Sequence, residues 1–127
     1  MTRQLKREVK IGNITIGGTH PIAVQTMLNV PVKDIAGNVA QAKRVAAAGC
    51  QIVRVTVPTP EDAAVVSAIK EAVDIPVVGI GGLNLNTLKV LKGSGVAGAA
   101  VVSAVFAAED IRQASADLRR ELNRVLT

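Results

Sequence analysis

The chain has 127 residues, 49% of them hydrophobic and 20% charged, with one Phe, no Trp and no Tyr. That is the size of a single domain with an aliphatic core, and it excludes disorder, a multidomain machine and the aromatic platforms on which single-stranded nucleic acid stacks. Fifteen Lys and Arg against ten Asp and Glu give +5, which suits a phosphorylated or carboxylate ligand, while the lone Cys excludes an intrachain disulfide and fits a cytoplasmic setting.

Residues 1–10 are polar and charged, without the apolar run of a signal peptide, and the longest hydrophobic stretch, 96–108, is too short to span a bilayer. No membrane partner is expected. Val9-Lys10-Ile11 and Ile14-Thr15-Ile16 flank Gly12-Asn13 and predict a hairpin, because Gly and Asn tolerate the backbone of a tight turn. Gly17-Gly18 then releases the chain.

Beyond the hairpin, short β-branched runs alternate with helical periods, the pattern of parallel strands joined by crossovers. The first strand is predicted over Ile22–Met27. The first helix starts near Asp34, with Ile35, Val39, Ala42 and Ala46 on its inner face, and stops at Gly49. A second strand, Ile52–Val57, is followed by Thr59-Pro60-Glu61-Asp62, where Thr caps, Pro takes the first helical position and the acids suit the helix dipole. Val66, Ile69 and Val73 form that helix's buried stripe. The third strand, Val77–Ile80, runs into Gly81-Gly82; a shorter helix carries Leu88 and Leu91 and ends at Lys92-Gly93. Ala97–Ser103 is predicted as the fourth strand. The last helix starts near Glu109, burying Ile111, Ala114, Leu118, Leu122 and Val125 and turning Arg112, Arg119, Arg120 and Arg124 to water.

The predicted fold class is α/β: four βα units, (βα)4, forming one half of a TIM-type barrel behind an N-terminal β-hairpin. An open doubly wound sheet is the alternative. A closed barrel takes over ~200 residues. Unpaired strand edges are a liability that a second copy removes, so a homodimer closing to eight strands is expected. The single domain 1–127 divides into a hairpin over 1–20 and paired units over 21–75 and 76–127.

Two sets of literal strings go further. Arg7-Glu8-Val9-Lys10-Ile11-Gly12-Asn13, Gly17-Gly18 with Pro21-Ile22-Ala23-Val24-Gln25-Thr26-Met27, and Ala48-Gly49-Cys50-Gln51-Ile52-Val53-Arg54-Val55-Thr56-Val57-Pro58 resemble the N-terminal barrel segment of the 4-hydroxy-3-methylbut-2-enyl diphosphate synthases (flavodoxin- or ferredoxin-dependent). Ile75-Pro76-Val77-Val78-Gly79-Ile80-Gly81-Gly82 and Gly98-Ala99-Ala100-Val101-Val102-Ser103-Ala104 resemble instead the last two strands of thiamine-phosphate synthase, also a (β/α)8 barrel. The chain looks like a splice of two opening units with two closing units.

The first resemblance implies that Asn29 and Arg54 hold a substrate diphosphate. It also implies a 4Fe–4S cluster held by cysteines of a separate domain, which Cys50 alone cannot replace. The second implies that Gly81, Gly82, Val102 and Ser103 bind a phosphate, whereas that family's early Gln-x-Arg-x-Lys segment and magnesium-binding aspartates are missing. Magnesium is therefore expected only with transferase activity, and no catalytic residue is assigned. The expected function is a phosphate- or diphosphate-binding half-barrel without the complete reaction of either synthase; the alternatives are a thiamine-phosphate-synthase-like transferase acting as a dimer, and a truncated or engineered chimera that only folds and assembles.

Each site has a plainer reading. Gly81-Gly82 can be only a tight strand-to-helix turn, although open amides there suit a phosphate. Arg54 alternates with apolar neighbours in a strand, so it needs an anion: a structural carboxylate or a ligand phosphate. Asn29 can be a loop residue that bonds its own backbone. Cys50 reads as an inert packed thiol, and His20, ahead of the first strand, sits opposite the catalytic face of a barrel. The arginines of the last helix read as a solvated face, and nucleic acid is not an expected partner.

Overall fold

The computed structural model describes residues 7–57 and 63–126. Strands β1 (Glu8–Ile11) and β2 (Ile14–Gly17) pair antiparallel as the predicted hairpin. Gly12 alone takes a positive φ, +60°, in the turn, while Asn13 does not, which fits a type II′ turn. Four parallel strands follow in the order β3 (Gln25–Met27), β4 (Ile52–Thr56), β5 (Val77–Ile80), β6 (Gly98–Ala99). Between them lie α1 (Ile35–Ala47), α2 (Ala63–Ala72) and a 3-10 helix over Leu88–Leu91; α3 (Ser103–Phe106) and α4 (Ile111–Leu126) close the chain. The Thr59-Pro60-Glu61-Asp62 cap falls outside the described residues.

The register sorts the sheet into two faces, because in-register side chains of parallel strands point the same way. Val53, Val55, Val57 and Val77 turn to one side and form a single cluster with Ala42 of α1, Val65, Val66 and Ile69 of α2, Leu88 and Leu91, and Leu118 and Val125 of α4. Burying each of the larger side chains stabilises the fold by about 1.5–3 kcal/mol. The opposite face carries a row of in-register residues, Met27, Arg54, Val78 and Gly98, with Ile52 one step toward the strand N-termini. The hairpin covers that N-terminal end. A Cβ on Gly12 would lie 2.9 Å from Pro76 Cγ and 3.7 Å from Ala97 Cβ, so only glycine lets the turn sit this close to the starts of β5 and β6.

Several boundaries differ from the sequence expectation. β3 is shorter than Ile22–Met27, because Pro21 has no amide proton and the Val24 amide donates to the Gln51 side chain at 2.8 Å rather than to a ladder. Ile22 is left 92% exposed. The inner face of α1 is not built on Ile35, which is exposed, but on Asn38 and Ala42. Asn38 is buried because its amide donates to the Pro31 and Asp34 carbonyls at 2.9 and 3.0 Å, tying the β3–α1 loop to the helix. The third helix is a single 3-10 turn, capped ahead by an Asn84–Thr87 turn in which the Asn84 amide donates to Thr87 Oγ1 at 2.8 Å. The fourth strand ends at Ala99 rather than Ser103, and α4 begins at Ile111, where Asp110 accepts from the Gln113 amide at 3.0 Å.

Asn38→Ala removes the two side-chain bonds that tie the loop to α1 and leaves a void, while the Pro31 and Asp34 carbonyls keep the backbone donors Asp34 N and Asn38 N, so it should cost about 1–3 kcal/mol in urea unfolding, with unchanged m-value.

Candidate functional site

Asn29, Gly81, Gly82, Val102 and Ser103 follow the C-terminal ends of β3, β5 and β6, while Arg54 sits midway along β4, and Cys50 and His20 lie toward the strand N-termini. Arg54 is the central residue of β4 and turns to the face without helices. It is partly buried, and its Nε is enclosed with no hydrogen-bond partner. The structural carboxylate considered for it is not found among the described residues, whose ion pairs are His20–Glu8, Arg120–Asp117 and Arg124–Glu121.

Asn29 follows β3 but does not bond its own backbone. Its Oδ1 accepts from Gln41 Nε2 at 2.7 Å, and its amide donates to Gln41 Oε1 at 3.1 Å, a reciprocal pair that fixes the loop on α1. Asn29 also lines a cavity of about 270 Å³ shared with Asn38 and Thr56. Arg54 is not among the residues lining it. The two expected diphosphate ligands are therefore neighbours along adjacent strands and not walls of one pocket. Thr56 links them: it lines the Asn29 cavity, shares the face of Arg54 two residues earlier in β4, and its Cγ2 is 2.9 Å from where a Cβ on Gly81 would lie. Sequence reasoning passed over Thr56, although the alternation through Ile52, Arg54 and Thr56 carried the signal.

Gly81 and Gly82 take φ of +104° and +65° in succession, so the turn after β5 is left-handed at both residues. Gly82 faces open space, and its carbonyl accepts from Thr87 Oγ1 at 3.1 Å. Little helix dipole acts on this turn, because it leads to an Asx-type loop and then a four-residue 3-10 helix. Val102 and Ser103 do not end a strand. They are the N-cap and first residue of α3, both exposed, and the Val102 cap has no side-chain hydrogen bond. The loop after Gly82 and the start of α3 nevertheless face each other, since Asn84, Asn86 and Ala104 line a cavity of about 170 Å³.

The remaining candidates take their plainer roles. Cys50 is buried, with Sγ donating to the Ile52 carbonyl at 3.0 Å. His20 lies 3.5 Å from Glu8 beside the hairpin, at the strand N-termini. The α4 arginines are exposed; Arg124 hydrogen-bonds Glu121, which holds that carboxyl below its ordinary range and raises the guanidinium. Among the described residues no group of His, Cys, Asp and Glu could hold a metal ion, and no helix is long and apolar enough to cross a membrane.

The parallel sheet and its alternating strands and helices agree in fold with known proteins. The GcpE TIM-barrel domain model matches residues 6–102. The chain belongs to the GcpE TIM-barrel family. It is similar to 4-hydroxy-3-methylbut-2-en-1-yl diphosphate synthase (flavodoxin) of Macrococcus caseolyticus (strain JCSC5402), 43% identical over 76 residues, covering 60% of this chain and 20% of that protein. The protein of the same description from Hyphomonas neptunium (strain ATCC 15444) is 46% identical over 76 residues, 60% of this chain and 20% of its own length. The chain thus spans about a fifth of the length of the curated relatives it matches. Among solved structures, thiamine phosphate pyrophosphorylase from Pyrococcus furiosus superimposes with a TM-score of 0.65 at 32% identity, over 83% of this GcpE-family chain and 61% of the other. A structure described as native KDPGal gives a TM-score of 0.53 at 19% identity, a likeness of fold alone. Both sequence resemblances are thereby found in one molecule.

Gly81→Ala should destabilise more than Gly82→Ala. Both force a side chain into a left-handed backbone, at about 1–2 kcal/mol, but only at position 81 does the new Cβ also meet Thr56, at 2.9 Å. Thermal melts of the two variants side by side check the order.

Proposed function

We propose that this GcpE-family domain is a phosphate- or diphosphate-binding half-barrel of the reducing cytoplasm, acting on or holding a phosphorylated small molecule, without the complete reaction of either relative. The observation that carries the reading is Arg54, a cation on the helix-free face of the sheet whose enclosed Nε has no partner. A guanidinium is the group that recognises phosphoryl oxygens by paired donors. Thr56, the open left-handed turn at Gly81-Gly82 and the exposed start of α3 at Val102-Ser103 supply hydroxyl and backbone donors at the same end of the strands. The two relatives, by name a diphosphate synthase and a phosphate pyrophosphorylase, are consistent with a ligand of this class.

The half-barrel assembles as a homodimer in this reading. Among the described residues, helices pack on one face of the sheet only, as in a barrel wall. The outer strands β3 and β6 each have one unpaired edge. Beside them lie exposed apolar side chains, Val24 (58%) and Met27 (41%) at one edge and Val102 (67%) and Phe106 (73%) beyond the other. Two copies related by a twofold axis along the strands set β6 against the partner's β3 twice and cover both patches.

This chain's donors do not fit a cysteine-held iron–sulfur cluster: the lone thiol is buried and bonded within the backbone at the start of β4. No step is therefore assigned to one. The likeness to the pyrophosphorylase supports a second reading, a transferase joining a thiazole phosphate to a pyrimidine diphosphate.

Calorimetric titration with inorganic phosphate and pyrophosphate tests the first reading. Binding is expected, and Arg54→Met should weaken it by about 1.5–3 kcal/mol, roughly ten- to a hundredfold. Absence of heat with either anion would leave a chain that only folds and assembles. A turnover assay with the two thiamine precursors should give no product above background; product formation would establish the transferase.

A further inference from the structure

Resting on the half-barrel reading, we propose that the dimer closes around one shared diphosphate, gripped between Arg54 of each subunit on the twofold axis, so that the anion controls assembly. Four observations lead there. The row Met27, Arg54, Val78, Gly98 crosses the helix-free face in register and contains one cation and no acid. The Arg54 Nε is enclosed and unpartnered before any second copy is added. Gly98, at the β6 end of the row, leaves open space, since a Cβ built there would meet nothing within 4 Å. The sheet order β3-β4-β5-β6 fixes the rest.

In a ring of eight strands made from two such sheets, β4 and the partner's β4 are four strands apart, which is diametrically opposite. Every strand keeps its parallel direction, so Arg54 and the partner's Arg54 stand at one level and point at each other. The interior of an eight-stranded barrel is only wide enough for side chains to fill it. Two guanidiniums brought there without a counter-ion repel one another, and the part of each side chain still exposed loses its access to solvent. Closure is disfavoured until an anion enters.

The symmetry of the site selects that anion. Inorganic pyrophosphate has two equivalent phosphoryl groups on either side of a bridging oxygen, so each Arg54 fork can take one and the twofold axis can pass through the bridge. Orthophosphate presents one group to two opposed forks, and chloride offers no oxygen for paired donors. The space at Gly98 of both subunits gives the anion room that larger side chains would fill.

Sedimentation of the full chain in chloride buffer, with and without inorganic pyrophosphate, reads the assembly, and calorimetry reads the stoichiometry. The chain should be largely monomeric in chloride, become dimeric with pyrophosphate at one anion per two chains, and respond at least about tenfold more weakly to orthophosphate. Arg54→Met should dimerise without pyrophosphate and ignore its addition. These wild-type measurements stand even if the variant fails to fold. One pyrophosphate per chain, or binding with no change in mass, overturns the shared site while leaving the phosphate-binding reading intact. No pyrophosphate bound at all overturns both. An Arg54→Met chain that still needs pyrophosphate to dimerise also overturns the shared site.

Discussion

A parallel sheet is stable when both of its faces are covered, and here the helices cover one. Val53, Val55, Val57 and Val77 meet α1, α2, α4 and the 3-10 helix in one cluster, while Ile52 and Val78, though buried, lie outside it. Alternation along β4 makes this unavoidable. Once the odd-numbered valines face the helices, Ile52, Arg54 and Thr56 must face away, and whatever covers them comes from elsewhere in the chain or from another molecule. The position of every candidate ligand residue follows from that division.

Part of the cover is the hairpin. It closes the N-terminal end of the helix-free face, bringing its turn against Pro76 and Ala97 and forming with residues 20–25 a cavity of about 440 Å³ that reaches Ile52. The His20–Glu8 contact at its rim is 3.5 Å long, with both side chains about half exposed, and pairs of that kind contribute little. The close approach shown for the hairpin is that of its turn, at Gly12, to Pro76 and Ala97, while Val9, Ile11 and Ile16 line the cavity. The other end carries Asn29, Thr56 and the Gly81 turn, where the proposed phosphorylated ligand would enter.

Periodicity made most of the framework legible. β4, β5, α2 and α4 stand out because each has a long apolar stripe, and burial of Val66, Ile69, Leu118 and Val125 follows that stripe. Features set by single hydrogen bonds were not legible. Nothing in a hydropathy pattern says that Asn38 turns inward to bond Pro31 and Asp34, that Gln51 takes the Val24 amide and shortens β3, or that Asn29 pairs with Gln41. The segment 97–103 misled for a related reason. Gly, Ala, Val and Ser fit a strand or a helix start equally well; pairing with β5 runs only from the Ala97 amide to the Ala100 amide, and from Val102 the chain caps α3 instead. In the candidate site, Arg54 was visible because a cation between valines demands an explanation, whereas Thr56, compatible with any strand, was visible only in the context of its neighbours.

That contrast bears on what Arg54 is for. Its in-register neighbours, Met27 and Val78, are apolar, and a residue of similar volume such as Met would pack beside them without an unsatisfied Nε. Replacing buried charges by apolar groups of like volume is often neutral or stabilising. The fold therefore gives no reason for a guanidinium at this position and pays for holding one. In the proposed reading an anion supplies the missing reason, since the same enclosure that makes an unpaired guanidinium costly strengthens its paired donors toward a phosphoryl group. The +5 charge of the chain is then less informative than the location of one of its cations.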